Sequence, residues 1–266
     1  MKWQLPKGPV DTHCHLADTR WNEDPATLLD RQRAKGVGAF VMGGVDPADW
    51  ERQLTWAAQF PGVVYPCFGL HPYFVADNSA EACEQALVRL EELLPQALAM
   101  GEIGLDYRGK IAKGSEARQL SFFSRQLEMA LGHSKALVLH IVRAHSQALK
   151  ELKRHSSPRG FVHAFNSNLE TALAYQSMGL FISVGGALHP GNKALYEAVR
   201  GLPLESLLLE SDSPDQAPPE LHEKRNEPWT IHLVARHVAD IKGLPVHRVL
   251  EICHENLLRL FSTEFG

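Results

Sequence analysis

Cysteine is scarce in this chain, with four in 266 residues, at Cys14, Cys67, Cys83 and Cys253. No two of them form a C-x-x-C pair, so neither a thiolate metal knuckle nor a disulfide framework can be read, and a reduced, cytoplasmic setting is expected. Long apolar runs are missing as well. Met1 to Pro9 carry no apolar stretch of signal-peptide length, and nowhere do about eighteen apolar residues follow one another, which predicts a soluble protein without a membrane span. A net basic field is also absent. The formal charge is −4, so contact with a polyanion would have to be local. No linker, short repeat or low-complexity tract divides the chain, and residues 1–266 are expected to form a single domain.

The apolar material is sufficient for a large core: 44% of residues are hydrophobic and 22% charged, the balance of a soluble globular protein. The length is close to the roughly 250 residues of a β/α barrel. Short apolar runs at Val10 to His15, Ala39 to Met42, Val63 to Gly69, Ala97 to Glu102, Leu137 to His140, Gly160 to Phe165, Leu180 to Val184 and Leu207 to Glu210 read as strands. Several are almost continuously apolar, as parallel strands covered on both faces tend to be. Amphipathic stretches separate them, including Pro47 to Gln59, Ala80 to Leu94, Glu116 to Gly132, His145 to Lys153, Leu169 to Met178 and Pro190 to Arg200. Two more helices, Pro228 to Ile241 and Pro245 to Phe261, follow a long loop from Ser211 to Pro228 that holds four prolines. Eight strands alternating with helices predict an α/β fold, a single (β/α)8 barrel of the TIM type.

His13 and His15 in Asp11-Thr12-His13-Cys14-His15 are two residues apart on a strand, so they share a side while Cys14 faces away. Imidazole is the commonest transition-metal ligand, and this pair is a chelate set by the backbone. His71 follows the third predicted strand, Glu102 and His140 end the fourth and fifth, His163 lies in the sixth and Asp212 follows the eighth. Barrel enzymes assemble their sites at the carboxyl ends of the strands, where these positions would converge. Imidazoles with two carboxylates suit Zn, Mn or a similar divalent ion better than Ca. Two ions are expected, with Glu102 as the bridge.

These residues fall within motifs that resemble the TatD family of metal-dependent hydrolases, close to its YjjV-like branch. The motifs are Asp11-Thr12-His13-Cys14-His15-Leu16, Gly69-Leu70-His71-Pro72, Gly101-Glu102-Ile103-Gly104-Leu105-Asp106-Tyr107, Leu139-His140, His163-Ala164-Phe165, Glu210-Ser211-Asp212-Ser213-Pro214 and Arg225-Asn226-Glu227-Pro228. The resemblance implies a barrel that hydrolyses phosphodiesters with Zn, Mn or Mg, removing nucleotides from single-stranded DNA ends. It implies one ion held by His13, His15, Glu102 and Asp212, and another by Glu102, His140 and His163. Asp212 would also take a proton from water, and His71 would orient substrate or steady a phosphate. Ser211 and Ser213 stand where Thr and Ala are more usual, and Asn166-Ser167-Asn168 where a Ser-Gly ending is common; these departures touch the substrate side and spare the implied ligands.

Around this set, Asp106 is expected to hold a ligand or Arg108 in place, and Arg225 and Glu227 to fix the last loop by an ion pair. Arg108, Lys110, Lys113 and Arg143 read equally as local positive charge for a phosphate or as a solvated loop, and Trp21, Tyr73, Phe74 and Tyr107 as faces for unpaired bases or as side chains buried against neighbouring loops. His189 and His222 are second-line site candidates; His133, His145, His155, His232, His237, His247 and His254 read as surface or structural. Two alternatives compete with the nuclease reading. One is hydrolysis of small acyl, amide or phosphoester substrates, although related amidohydrolase barrels often bridge their metals with a lysine where this chain offers Glu102. The other is a non-catalytic metal-binding scaffold. The sequence carries no sign of an obligate protein partner.

Overall fold

The computed structural model describes residues 3–155, 158–221 and 225–262. Nine strand segments run parallel in chain order: β1 Val10–Cys14, β2 Ala39–Met42, β3 Val64–Tyr65, β4 Cys67–Phe68, β5 Ala99–Asp106, β6 Ala136–Val142, β7 Gly160–Val162, β8 Phe181–Val184 and β9 Leu207–Leu209. β1 to β3 form one hydrogen-bonded set and β4 to β9 another. Segments β3 and β4 share one barrel position, interrupted at Pro66, which has no N–H to donate; its carbonyl accepts from Leu98 N at 2.8 Å. The eight expected positions are therefore present, the third one broken.

The ring closes between its first and last strands. Asp212 N donates to His13 O at 2.9 Å and His15 N to Ser213 O at 2.7 Å. The buried Asp11 carboxylate accepts from Ser211 N at 2.9 Å and from Ser211 Oγ at 2.5 Å, and Thr12 Oγ1 donates to Leu209 O at 2.9 Å. The architecture is the TIM-type β/α barrel that the alternation predicts.

Polar caps start several of the surrounding helices: Asp24 and Asp46 precede a proline at the first helical position, and Ser79 and Asn168 accept from backbone N–H groups of the first turn. At the amino ends of the strands, Val10, Ala39, Ala99, Phe161, Phe181 and Leu208 pack together beneath Leu257 and Leu260 of the last helix, Val246–Phe261. Burying the valine, leucines and phenylalanines among them contributes roughly 1.5–3 kcal/mol each, so this end is the apolar anchor and the opposite rim is left free for polar groups. No helix among the described residues is long and apolar enough to cross a membrane.

The elements differ from the sequence expectation where tertiary contacts decide. β5 runs to Asp106 and β6 to Val142, so Glu102 and His140 are interior to their strands and do not end them. Short helices at Pro72–Asp77 and Gly109–Ala112 escape a periodicity reading because each spans fewer than two turns. The helix expected from Pro190 starts at Lys193, capped by Asn192, and the one expected from Pro228 starts at Ile231 after a 3-10 turn.

Candidate metal centre

Two glycines bring Glu102 to the centre of the rim. Beyond β2, Gly44 N donates to Gly101 O at 3.0 Å and Glu102 N donates to Gly44 O at 2.8 Å. A Cβ on Gly44 would meet Cys67 O at 2.3 Å and Gly101 O at 2.7 Å, so the backbones approach this closely only because the side chain is absent. At the same place the β5–β6 register shifts between Met100 and Ile103, an irregularity of the kind that re-aims a side chain next to a site. The β1–β2 register likewise shifts between Asp11 and Cys14, the span that contains His13.

The two oxygens of Glu102 face different imidazole groups. Oε1 lies 3.5 Å from His13 Nε2 and 3.2 Å from His15 Nε2, and Asp212 Oδ1 sits 3.5 Å and 3.3 Å from the same two nitrogens. Oε2 lies 2.7 Å from His163 Nε2, 3.3 Å from His140 Nδ1 and 3.6 Å from His71 Nε2. All of these residues are buried except His15, which is partly exposed. The structure thus brings together His13, His15, His71, Glu102, His140, His163 and Asp212, the whole set singled out from the sequence. Cys14, by contrast, points its thiol at Val41 O, away from them.

Burying a carboxylate costs several kcal/mol unless opposite charge compensates it. Burial pushes Glu102 up, but the imidazoles of His163, His13 and His15 outweigh it and hold the carboxyl well below its usual range. Asp212 behaves similarly: against its burial, the bond to His15 and neighbouring imidazoles lower it to about 2. Reciprocally, burial opposes charge on His15, yet Glu102 and Asp212 raise it to about 10, and Glu102 raises His163 despite its burial. The pocket is built for positive charge beside two carboxylates.

Its donor set fits divalent metal. His13 Nδ1 and Nε2, Glu102 Oε1 and His163 Nδ1 are buried with no hydrogen-bond partner, although buried polar atoms are rarely left so. Ligand-type atoms of His13, His15 and Asp212, of His13, Glu102 and His163, and of His71, Glu102 and His140 each lie within 4.8 Å of one another. A Cβ on Gly43 would fall 2.5 Å from His13 Cε1 and 2.7 Å from Glu102 Oε1, so this glycine keeps the space between the two open.

His71 differs from the other imidazoles. It caps the short helix Pro72–Asp77, its Nδ1 accepting from Tyr73 N at 3.0 Å. Burial and the neighbouring His140 hold it well below the usual imidazole range, so the ring is neutral and its single proton sits on Nε2. His71 therefore presents a hydrogen-bond donor to the site and no free lone pair.

Supporting carboxylates surround the cluster. Asp106 Oδ2 lies 3.1 Å from His140 Nε2 and accepts from Arg108, the position expected of it. Two supporting roles were not read from the sequence. Glu210 accepts from Ala164 N at 2.5 Å and lies 3.7 Å from His163 Nδ1, while Asp11 pins Ser211 beside Asp212. The signal for both was their place inside motifs already singled out. Asp212, Ala164 and Arg143 all take positive φ, +56°, +45° and +55°, backbone strain gathered at the rim.

The cluster opens into a cleft of about 770 Å³ lined by Arg20, Tyr73, Arg108 and Arg143 among others. Tyr73 is the only one of the four expected aromatics that lines it. Trp21 is buried, donating to His15 O at 2.8 Å, and Phe74 and Tyr107 pack against the core. Lys110 and Lys113 do not line the cleft. Arg225 and Glu227 do not pair with each other: Arg225 donates to Glu23 at 2.9 Å, and Glu227 lies 3.1 Å from Lys35 and 3.3 Å from Arg31, tying the last loop to the first helix, Pro25–Ala34. His189 accepts from Gly191 N and does not line the cleft, and His222 lies outside the described residues. His145, read as structural, does line it.

A barrel with imidazoles and carboxylates gathered around one shared glutamate defines the class of metal-dependent hydrolases. Within that class the chain belongs to the TatD family: residues 10–262 match the model for TatD related DNase. Human deoxyribonuclease TATDN3 is 29% identical over 263 residues, covering 96% of this chain and 94% of that protein. The Escherichia coli protein YjjV, described as an uncharacterized metal-dependent hydrolase, is 30% identical over 255 residues, covering 95% and 97%. Its crystal structure superposes with a TM-score of 0.86 over 95% of this chain and 97% of that chain. A TatD family hydrolase from Entamoeba histolytica, at 18% identity and a TM-score of 0.81, shares the fold, covering 97% and 99%.

Proposed function

We propose that this protein is a two-metal phosphodiesterase that removes nucleotides from the ends of single-stranded DNA in the cytoplasm. The reading is carried by one observation, the Glu102 carboxylate with its two oxygens turned to separate imidazole groups. A shared carboxylate of this kind would serve two divalent ions at once. His13, His15, Glu102 and Asp212 would hold one ion, and Glu102, His140 and His163 the other. Zn, Mn and Mg are the candidates. When bound, the ions supply Lewis acidity, acidifying water and offsetting the charge that grows on a phosphate under attack.

The chain's own groups do the rest. Asp212, whose Oδ2 accepts from Gln216 and whose Oδ1 faces His13 and His15, accepts the proton of the attacking water. The Nε2–H of His71 donates to a phosphate oxygen and fixes its orientation. Arg108 and Arg143 make the cleft wall locally positive on an acidic protein, and Tyr73 offers a ring against which an unpaired base stacks. Four free, buried cysteines agree with a reducing compartment. The relatives named for deoxyribonuclease activity support the choice of DNA among phosphodiesters.

The test is digestion of 5′-labelled and 3′-labelled single-stranded oligonucleotides with Mg, Mn or Zn supplied and with chelator as control. Metal-dependent shortening from one end, lost on Asp212→Asn, is the expected result. Intact oligonucleotide with every metal, alongside turnover of a small ester or amide, would replace this reading with the acyl one.

A further inference from the structure

His145 stands at the start of the helix His145–Leu152, outside the cluster described above. Its Nδ1 lies 3.0 Å from the hydroxyl of Tyr175, a fully buried side chain that makes no other hydrogen bond among the described residues. A buried phenol hydrogen needs an acceptor, so Tyr175 donates to Nδ1. Burial keeps the His145 imidazole in its neutral form. Its remaining proton is then on Nε2, the end of the ring that is free of protein partners on a residue lining the cleft.

A second donor is fixed by the same logic. Asn192 Oδ1 accepts from Leu195 N, so its amide nitrogen must be the group that meets Asn166 Oδ1 at 2.8 Å. Asn166 lines the cleft, and its own NH2 has no protein acceptor among the described residues. Arg143 completes the set. Arg20 is held by Asp18 and Asp215, and Arg108 by Asp106 and Tyr73, but Arg143 makes no ion pair or side-chain hydrogen bond among the described residues. It lies near enough to Arg108 to lower that guanidinium's pKa, after burial, and of these arginines it is the one without a carboxylate partner among the described residues. All three line the one cleft, and donors there without a protein acceptor suit an anion rich in oxygen.

We propose that His145, Asn166 and Arg143 form a second phosphate subsite, which holds a phosphate of the substrate strand next to the one being hydrolysed. The proposal rests on the phosphodiesterase reading and adds a substrate requirement to it: the protein selects strands that carry a phosphate beyond the scissile one, either a terminal monoester or the next diester.

The probes are the thymidine dinucleotide with one phosphodiester, its 5′-phosphorylated and 3′-phosphorylated forms, and the trinucleotide with two diesters. Binding is measured by calorimetry in chelator, where nothing is hydrolysed and the outcome is independent of nuclease activity. An added phosphate at one of the two ends should tighten binding roughly tenfold, the worth of a charge-assisted contact. His145→Ala and Asn166→Ala should remove most of that gain, leaving affinity for the plain dinucleotide unchanged. His145→Gln, which keeps a donor, should retain it, and Tyr175→Phe should reduce it by freeing the ring. The terminal and internal forms distinguish a monoester pocket from a diester one. Equal binding of all four probes by the native protein would overturn the proposal, as would a gain that survives His145→Ala. Failure of the nuclease reading would show instead in the metal-loaded digestion.

Discussion

Asp106 Oδ2 lies 3.1 Å from His140 Nε2, at the far end of the ring whose Nδ1 faces Glu102. A carboxylate in this position fixes both the tautomer and the direction of a ligand imidazole. Asp106→Asn should therefore lower metal affinity about 10- to 100-fold with little change in the fold. Titration of metal-free protein with Zn or Mn checks this, and native affinity in the variant would reduce Asp106 to a partner of Arg108.

Neighbouring glycines should respond differently. A methyl group on Gly43 meets the ends of His13, His15 and Glu102 side chains, which can swing aside, whereas one on Gly44 meets the backbone of Cys67 and Gly101 at 2.3 and 2.7 Å. Gly43→Ala should fold with a native melting temperature and lose metal. Gly44→Ala should lose about 1–3 kcal/mol of stability, the usual cost of overpacking. Denaturant melts and metal analysis of the two purified variants separate these outcomes.

Metal binding should release protons. In the metal-free protein His15 is raised to about 10 and His163 is raised too, so both carry protons at neutral pH that an ion must displace. Affinity should therefore rise as pH rises through the neutral range. Calorimetry in two buffers of different ionisation enthalpy measures the protons released; a buffer-independent heat would contradict this assignment.

The loop that carries Asp212 depends on Asn226, a fully buried residue at its far end. Its Nδ2 donates to Ser211 O at 2.6 Å and Asp215 O at 2.7 Å, while its Oδ1 accepts from Thr230 Oγ1. Asn226→Ala leaves these partners unpaired and should cost roughly 1–3 kcal/mol, a loss readable in urea melts.

Much of this was legible in the sequence because it is local. His13 and His15 share a strand, and apolar runs bounded by turns mark the barrel positions. What stayed hidden depends on contacts between distant segments. Nothing near Glu102 announces that Gly44 reaches Gly101 and draws the glutamate inward, nor that β5 continues four residues past it. The partners of Arg225 and Glu227 lie some two hundred residues earlier, where a local charge pattern cannot find them. Trp21 looked available for stacking because exposure of a loop aromatic is decided by what covers it, here the guanidinium of Arg225 at 4.3 Å. His145 looked structural because its partner, Tyr175, belongs to another helix, Leu169–Gln176.

The most direct test of the central claim is an anomalous-scattering map of crystals grown with Mn or Zn. Two peaks about 3.5–4 Å apart, one on each side of the Glu102 carboxylate, are the predicted result. One ion alone, or ions that leave Glu102 uncoordinated, would contradict it.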